Sequence, residues 1–490
     1  MDGAKLFLPQ CGDLRTPSAA GLPERRVSDR IFSLARAAAA SDDCASQWIK
    51  IGWSSIKAVG PDLTFMPRPP AMSPSSLALA NLRAVVILVV LAFHSVLAYV
   101  QFIPMRSGGF NEPPYGWRAF PIVDSHRWFG FDLFCAWQDV YLMSLMFLLS
   151  GLFVWPSLGR KRNWGFVRDR LRRLGVPYVF GVLVLIPVAF YPAYLASGGD
   201  PSLTDYWQHY VALPFLPNGQ LWFLWQLLAL NFVAVGLNWI APNALKALGK
   251  WSGEAGRRPG LYFAVLVGVS AIAYVPSALA FTPWAWSGSG LLSIQWSRPL
   301  LYGVYFFAGV GIGTAGIDVG LVAIDGALAR DWKLWLAAAI VSLFVWMGVT
   351  SLTMNGPAPL AINVIADLCF VVACAAGCVF VIASSLRFGT KRSPILDSLS
   401  VNAYSLYLVH YDFVIWLQYA LLGFTLFALI KGVIVFAGTA ILSWITILAA
   451  ERIPFILRLI AAPPQAAATP QSASRAPARL YARLRQIVSS

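Results

Sequence analysis

The chain has 490 residues, of which 58% are hydrophobic and 12% charged, with a mean hydropathy of +0.65. This excludes a soluble globular protein of that length and leaves room for about ten membrane spans of ~20 residues with their loops. The net charge of +15 does not imply a nucleic-acid partner, because basic loops orient a membrane protein and meet anionic lipid.

Residues 1–75 mix Ala, Ser, Pro and scattered charge and carry no apolar helical face, which predicts disorder; Met66 and Met72 are candidate true starts. Apolar runs then predict ten spans, at about 80–103, 135–156, 176–196, 220–240, 261–281, 299–316, 334–354, 361–385, 399–421 and 425–449. Seven cations between Arg160 and Arg173 face Asp169 alone, which makes that loop cytoplasmic. Lys246, Lys250, Arg257 and Arg258 mark a second inside loop, and Arg387, Lys391 and Arg392 a third. The loop with Asp200 and Asp205 has no Lys or Arg and falls outside, as does one with Trp284, Trp286 and Trp296 at interface depth. The expected fold is therefore all-α and polytopic, with about ten transmembrane helices and both termini cytoplasmic. A membrane domain over 76–450 is followed by a basic tail, 451–490.

No P-loop, G-x-S-x-G or H-E-x-x-H occurs, which argues against P-loop enzymes, serine hydrolases and zincins. Cys374 and Cys378 share a helix face, but no histidine or acid clusters with them, so no metal site is expected. Gly309 and Gly313 form a GxxxG suited to close helix packing.

The first span carries Arg83 and His94. Eleven residues make about three turns plus ~20°, so both side chains point one way, roughly 16 Å apart along the axis. Ionisable residues inside a span mark a site or a helix-to-helix hydrogen bond, and both readings stand for His94. His410, near the middle of the ninth span, is its rival as a base; His126 and His209 fall in outer loops. Asp367 and Asn363 share a helix face without an evident role.

Five segments follow in order: Arg83-x10-His94, Phe147-Leu-Leu-Ser150-Gly151, Arg170 and Arg173 as an RxxR pair, Leu221-Trp222-Phe223, and YSLYLVH from Tyr404 to His410. Together they resemble the acyltransferase-3 family of integral membrane O-acyltransferases over about residues 77–450, and its glucan succinyltransferase-like branch in particular. The resemblance implies transfer of a small acyl group, acetyl or succinyl, from a cytoplasmic acyl-CoA to a hydroxyl of an extracytoplasmic glycan. It implies an inner-membrane location, with acyl-CoA, a glycan and the lipid bilayer as partners, no nucleic acid and no tightly bound cofactor.

His94 is then the catalytic base, since imidazole suits proton abstraction near neutrality. Arg83, Arg170 and Arg173 would hold the donor's phosphates, or serve only as topological charge. Asp132 and Asp139, seven residues apart, share a helix face. Asp139 would orient His94 or bind acceptor hydroxyls; both are otherwise interface charges. Trp222 and His410 are candidate substrate-binding residues, and Trp222 could equally anchor the interface. The competing function is a transporter or flippase of glycan or lipid, with Arg83 and His94 lining the path.

Overall fold

A computed structural model describes residues 72–103, 108–286, 292–354, 356 and 358–450. The expectations for residues 1–71 and for the tail from 451 fall outside the described residues. Thirteen α-helices order the rest: α1 Pro74–Val96, α2 Phe129–Gly151, α3 Val154–Ala196, α4 Leu203–Val211, α5 Trp222–Ile240, α6 Pro242–Ala255, α7 Pro259–Phe281, α8 Pro299–Ala315, α9 Ala327–Arg330, α10 Trp332–Met354, α11 Leu360–Phe388, α12 Pro394–Ala420 and α13 Ala428–Ala450. No strand occurs among the described residues; isolated bridge residues stand at Phe215 and at Trp286 and Gln295, the last two paired with each other. The chain is thus an all-helical, polytopic membrane protein. Eight helices are long and apolar enough to cross a bilayer, and α8 makes a ninth if its bent continuation to Arg330 is one span with it. The eight do not include α12, although its 27 residues would reach about 40 Å.

Three expected boundaries move. α1 begins at Pro74, where the Ser73 hydroxyl accepts from the Ser76 N–H (3.2 Å) and Pro occupies the first turn at no hydrogen-bonding cost. α2 begins at Phe129, ahead of Asp132. The basic segment 160–173, expected as a loop, is helical and continuous with the third span. Arg and Lys are good helix formers, so loss of hydropathy there does not mean loss of helix. The one break is at Arg162, with φ 57° and ψ 170°, which kinks α3.

α1 is central: it packs against α2, α11, α12 and α13. Of the apolar stretch of α11, 67% is buried inside the protein, against 17% for α10, whose Leu334, Val341 and Phe344 face outward, as lipid-facing residues do. Close packing of α2 on α8 depends on glycine. A Cβ at Gly309 or Gly313 would overlap the Leu148 or Leu152 carbonyl, and one at Gly151 would overlap that of Phe306. The GxxxG therefore acts in packing, and so does the glycine of the Ser150-Gly151 motif.

Candidate active site

The site is assembled on α12. Tyr404, Tyr407 and His410 follow at three-residue spacing, which sets them along one stripe of the helix. Each reaches a different element. Pro177 in α3 has no N–H for the carbonyl four residues back, that of Arg173; the Tyr404 hydroxyl donates to it at 2.5 Å. Pro192 likewise leaves the Val188 carbonyl free, and Trp416 Nε1 of α12 donates to it at 3.0 Å. The prolines of α3 thus create the two acceptors by which α12 grips it. The Tyr407 hydroxyl donates to the Gln220 carbonyl at the approach to α5. His410, fully buried, turns towards α1 and meets His94.

The two imidazoles lie with ring centroids 5.1 Å apart and His410 Nε2 3.4 Å from His94 Nδ1. Their tautomers follow from their other neighbours. His410 Nδ1 lies 2.8 Å from the Tyr407 carbonyl and 3.2 Å from that of Leu406; His94 Nδ1 lies 2.9 Å from that of Val90. A carbonyl only accepts, so in the neutral rings both Nδ1 atoms carry the proton. His410 Nε2 then has a free lone pair that can share the His94 Nδ1–H with Val90. On His94 the lone pair sits on Nε2, which takes no hydrogen bond from the described residues. Half-buried His94 therefore presents an unprotonated nitrogen, as a base requires.

His94 lies in the last turn of α1, not at mid-span as the sequence suggested; the helix tightens to a 3₁₀ turn at Leu97–Tyr99. Gln418, buried on α12, donates to the His94 carbonyl (2.9 Å) and the Ser95 carbonyl (3.2 Å), which ties the backbone of His94 to the helix that carries His410. Tyr411 covers His94 edge-on at 5.4 Å.

The three candidate donor arginines behave alike. Each is half-buried, and each has a buried Nε with no hydrogen-bond partner. The Arg83 guanidinium stacks 5.1 Å over Phe153, just beyond α2, and that of Arg170 lies 4.6 Å over Phe166. Arg173 Nε comes within 3.0 Å of Asp169 Oδ1, but its N–H is not aimed at that oxygen; Lys161 holds the same oxygen at 2.6 Å. A π-helical turn, Leu171–Gly175, carries Arg173.

Asp139 is not brought to His94. Its carboxylate forms a two-pronged pair with Arg298, at 3.0 Å and 2.6 Å. The orienting role expected of Asp139 is filled at His94 by the Val90 carbonyl and His410. Asp132 is likewise occupied: it accepts the N–H groups of Gln101 and Phe102 at 2.9–3.0 Å. Trp222, in the first turn of α5, stacks on Tyr302 at 5.8 Å and meets Trp286 edge-on at 5.6 Å.

The connection from α1 to α2 is clamped. Asp124, wholly buried, pairs with wholly buried Lys431 of α13 at 2.6 Å, and its other oxygen accepts the His126 N–H at 2.8 Å. Asn111 and His209 exchange two further hydrogen bonds, at 2.8 and 2.7 Å. Rings then run inward: Phe110 stacks on Trp117, Trp117 meets Phe190, and Phe190 meets Tyr411 beside His94. Sequence reasoning missed Lys431, Arg298 and Gln418. Lys431 and Arg298 were legible as ionisable groups at span ends; Gln418 carried no signal.

Two open depressions, of about 660 and 540 Å³, lie away from the histidines. The first is lined by Ser73, Arg257, Asp318 and Arg330, the second by Lys246, Lys250, Arg257 and Trp155. No group of three His, Cys, Asp or Glu residues suited to a metal occurs among the described residues.

Residues 77–448 match a family model described as an acyltransferase domain. Comparison with curated proteins and with solved structures finds no match in either.

Proposed function

The chain belongs to the acyltransferase-3 family and is an acyltransferase; from that premise we propose that it moves a small acyl group, acetyl or succinyl, from cytoplasmic acyl-CoA to a hydroxyl of an extracytoplasmic glycan. A glucan is the acceptor, as in the glucan succinyltransferase-like branch. The setting is the inner membrane, with ten spans and both termini cytoplasmic. The observation that carries this reading is His94 beside His410, with its Nδ1 on the Val90 carbonyl and its Nε2 without a hydrogen-bond partner among the described residues.

His94 Nε2 takes the proton of the acceptor hydroxyl as its oxygen attacks the thioester carbonyl. The new ester C–O bond forms, the C–S bond breaks, and the CoA thiolate leaves and receives that proton. While His94 is charged, its Nδ1–H stays shared between the Val90 carbonyl and the neutral His410 Nε2. Deciding this is direct: protein purified in nanodiscs is given acetyl- or succinyl-CoA with gluco-oligosaccharides. Acceptor-dependent release of free CoA with an O-acylated sugar is expected. Passage of oligosaccharide without thioester consumption would favour transport instead.

Arg83, Arg170 and Arg173 hold the donor's phosphates. Guanidinium groups bind phosphate in a fork and stay charged; the Nε of Arg83 and of Arg170 has no hydrogen-bond partner, and that of Arg173 lies 3.0 Å from Asp169 Oδ1 without a hydrogen bond. Replacing Arg83 or Arg170 with Ala is expected to weaken donor binding by about ten- to hundred-fold, from charge-assisted hydrogen bonds of roughly 1.5–3 kcal/mol. Arg173→Ala should cost less, because Asp169 already engages it. Lys should rescue only in part. Donor KM measured across a salt series checks this; unchanged donor dependence in Arg170→Ala plus Arg173→Ala would return that pair to topology alone.

A further inference from the structure

We propose that the depression between α6 and the end of α8 is a phosphate-binding site, its ligand held by Lys246, Lys250 and Arg257. The site lies away from the histidines and does not depend on the acyl-transfer reading.

The depression, of about 540 Å³, is built on one stripe of α6. Lys246, Gly249, Lys250, Gly253 and Glu254 line it at i, i+3, i+4, i+7 and i+8, and Arg257 continues the stripe just past the helix end at Ala255. Thr314 and Ala315, at the end of α8, form the facing wall. The glycines lie on the α8 side of the stripe. A Cβ at Gly249 would come within 2.4 Å of the Thr314 side chain, and one at Gly253 would meet Ala315 at 3.4 Å. Glycine therefore brings α6 against α8, and the charged side chains are left on the open side.

These cations are unbalanced. Lys161, Arg173, Arg298, Arg392 and Lys431 each meet an acid, whereas Lys246, Lys250 and Arg257 make no ion pair among the described residues. Glu254 stands one turn from Lys250 and makes no ion pair with it. Three cations against one acid leave a net charge of +2 around one concavity. Like charges gathered there repel one another, and an anion relieves the repulsion. The neighbouring depression shows that the excess is local. It shares Arg257 and Gly320 with this one, but there Arg257 and Arg330 are matched by Asp318 and Asp325.

Phosphate suits the set. Ammonium groups bind it as point charges, and Arg257 adds a planar fork. Trp155, half-buried, completes the lining with an indole of the kind that sits at headgroup level. It follows Phe153, the ring under Arg83, by two residues, so the depression opens at the same end of the bundle as that guanidinium. The loop's charge assigns this end to the cytoplasmic side. Phosphate reaches it there from a phospholipid headgroup of the inner leaflet or from a soluble nucleotide ligand.

The test uses the full chain and two probes. Cardiolipin, which carries two phosphates, is doped into phosphatidylcholine nanodiscs and counted on the protein by native mass spectrometry. Adenosine 3′,5′-bisphosphate is titrated by calorimetry into nanodiscs of phosphatidylcholine alone. Lys246→Ala plus Lys250→Ala is expected to weaken at least one probe about thirtyfold, and Glu254→Gln to strengthen the same probe about fivefold. Lys246→Arg plus Lys250→Arg should keep the binding. Both lysines are exposed, so the thermal unfolding midpoint should not move. An effect on cardiolipin alone identifies a headgroup site, and an effect on the bisphosphate alone a site for a soluble ligand. Displacement of cardiolipin by the bisphosphate shows one site open to both. If both probes ignore the lysine pair, the site is overturned; bisphosphate binding that then depends on Arg83 leaves the donor reading standing.

Discussion

His94→Ala is expected to lower acyl transfer by about 10²–10⁴-fold, the usual contribution of a general base, without loss of protein or membrane insertion. The side chain is half-buried, so its removal leaves no large cavity, and the carbonyl of Val90 is an ordinary helix acceptor already. His410→Ala should cost less, because Val90 still holds the His94 Nδ1–H and keeps the lone pair on Nε2. The two effects should not add in the double variant, because His410 acts through His94. Single-turnover rates with saturating donor and acceptor measure this. Near-normal turnover in His94→Ala, with His410→Ala inactive, would transfer the role of base to His410.

Lys431→Met is expected to destabilise the protein by about 3–5 kcal/mol, because it strands a carboxylate that has no access to water. Lys431 and Asp124 are both wholly buried; besides Lys431 the Asp124 carboxylate meets the N–H and ring of His126, while Arg127 Nε donates to the Asp124 backbone carbonyl rather than to the carboxylate. The double variant Lys431→Met with Asp124→Leu should recover a large part of the loss, since it removes both desolvated charges. Thermal unfolding in detergent is the readout. A single variant as stable as the wild type would show that water reaches Asp124 once the lysine is gone.

The sequence by itself determined the membrane class, eight of the ten expected spans, the family signature and the packing role of Gly309 and Gly313. These are local properties: apolar runs, fixed spacings and small residues at one helical interval can be read along the chain. It also singled out both histidines, because an ionisable group in an apolar run stands out wherever it pairs. The partners were decided only by the tertiary structure. His94 meets His410 across 316 residues, Asp139 meets Arg298 across 159, and Lys431 meets Asp124 across 307. No periodicity encodes such pairings, so Asp139 looked available to His94, and nothing along the chain marked Asp124. The place of His94 in the last turn of α1 was likewise set by where that helix tightens, not by the length of the apolar run. Hydropathy reports what a segment avoids, water or lipid; the Val90 carbonyl that leaves His94 Nε2 free lies one turn back on the same helix, whereas the second imidazole beside it is supplied only by how the helices pack.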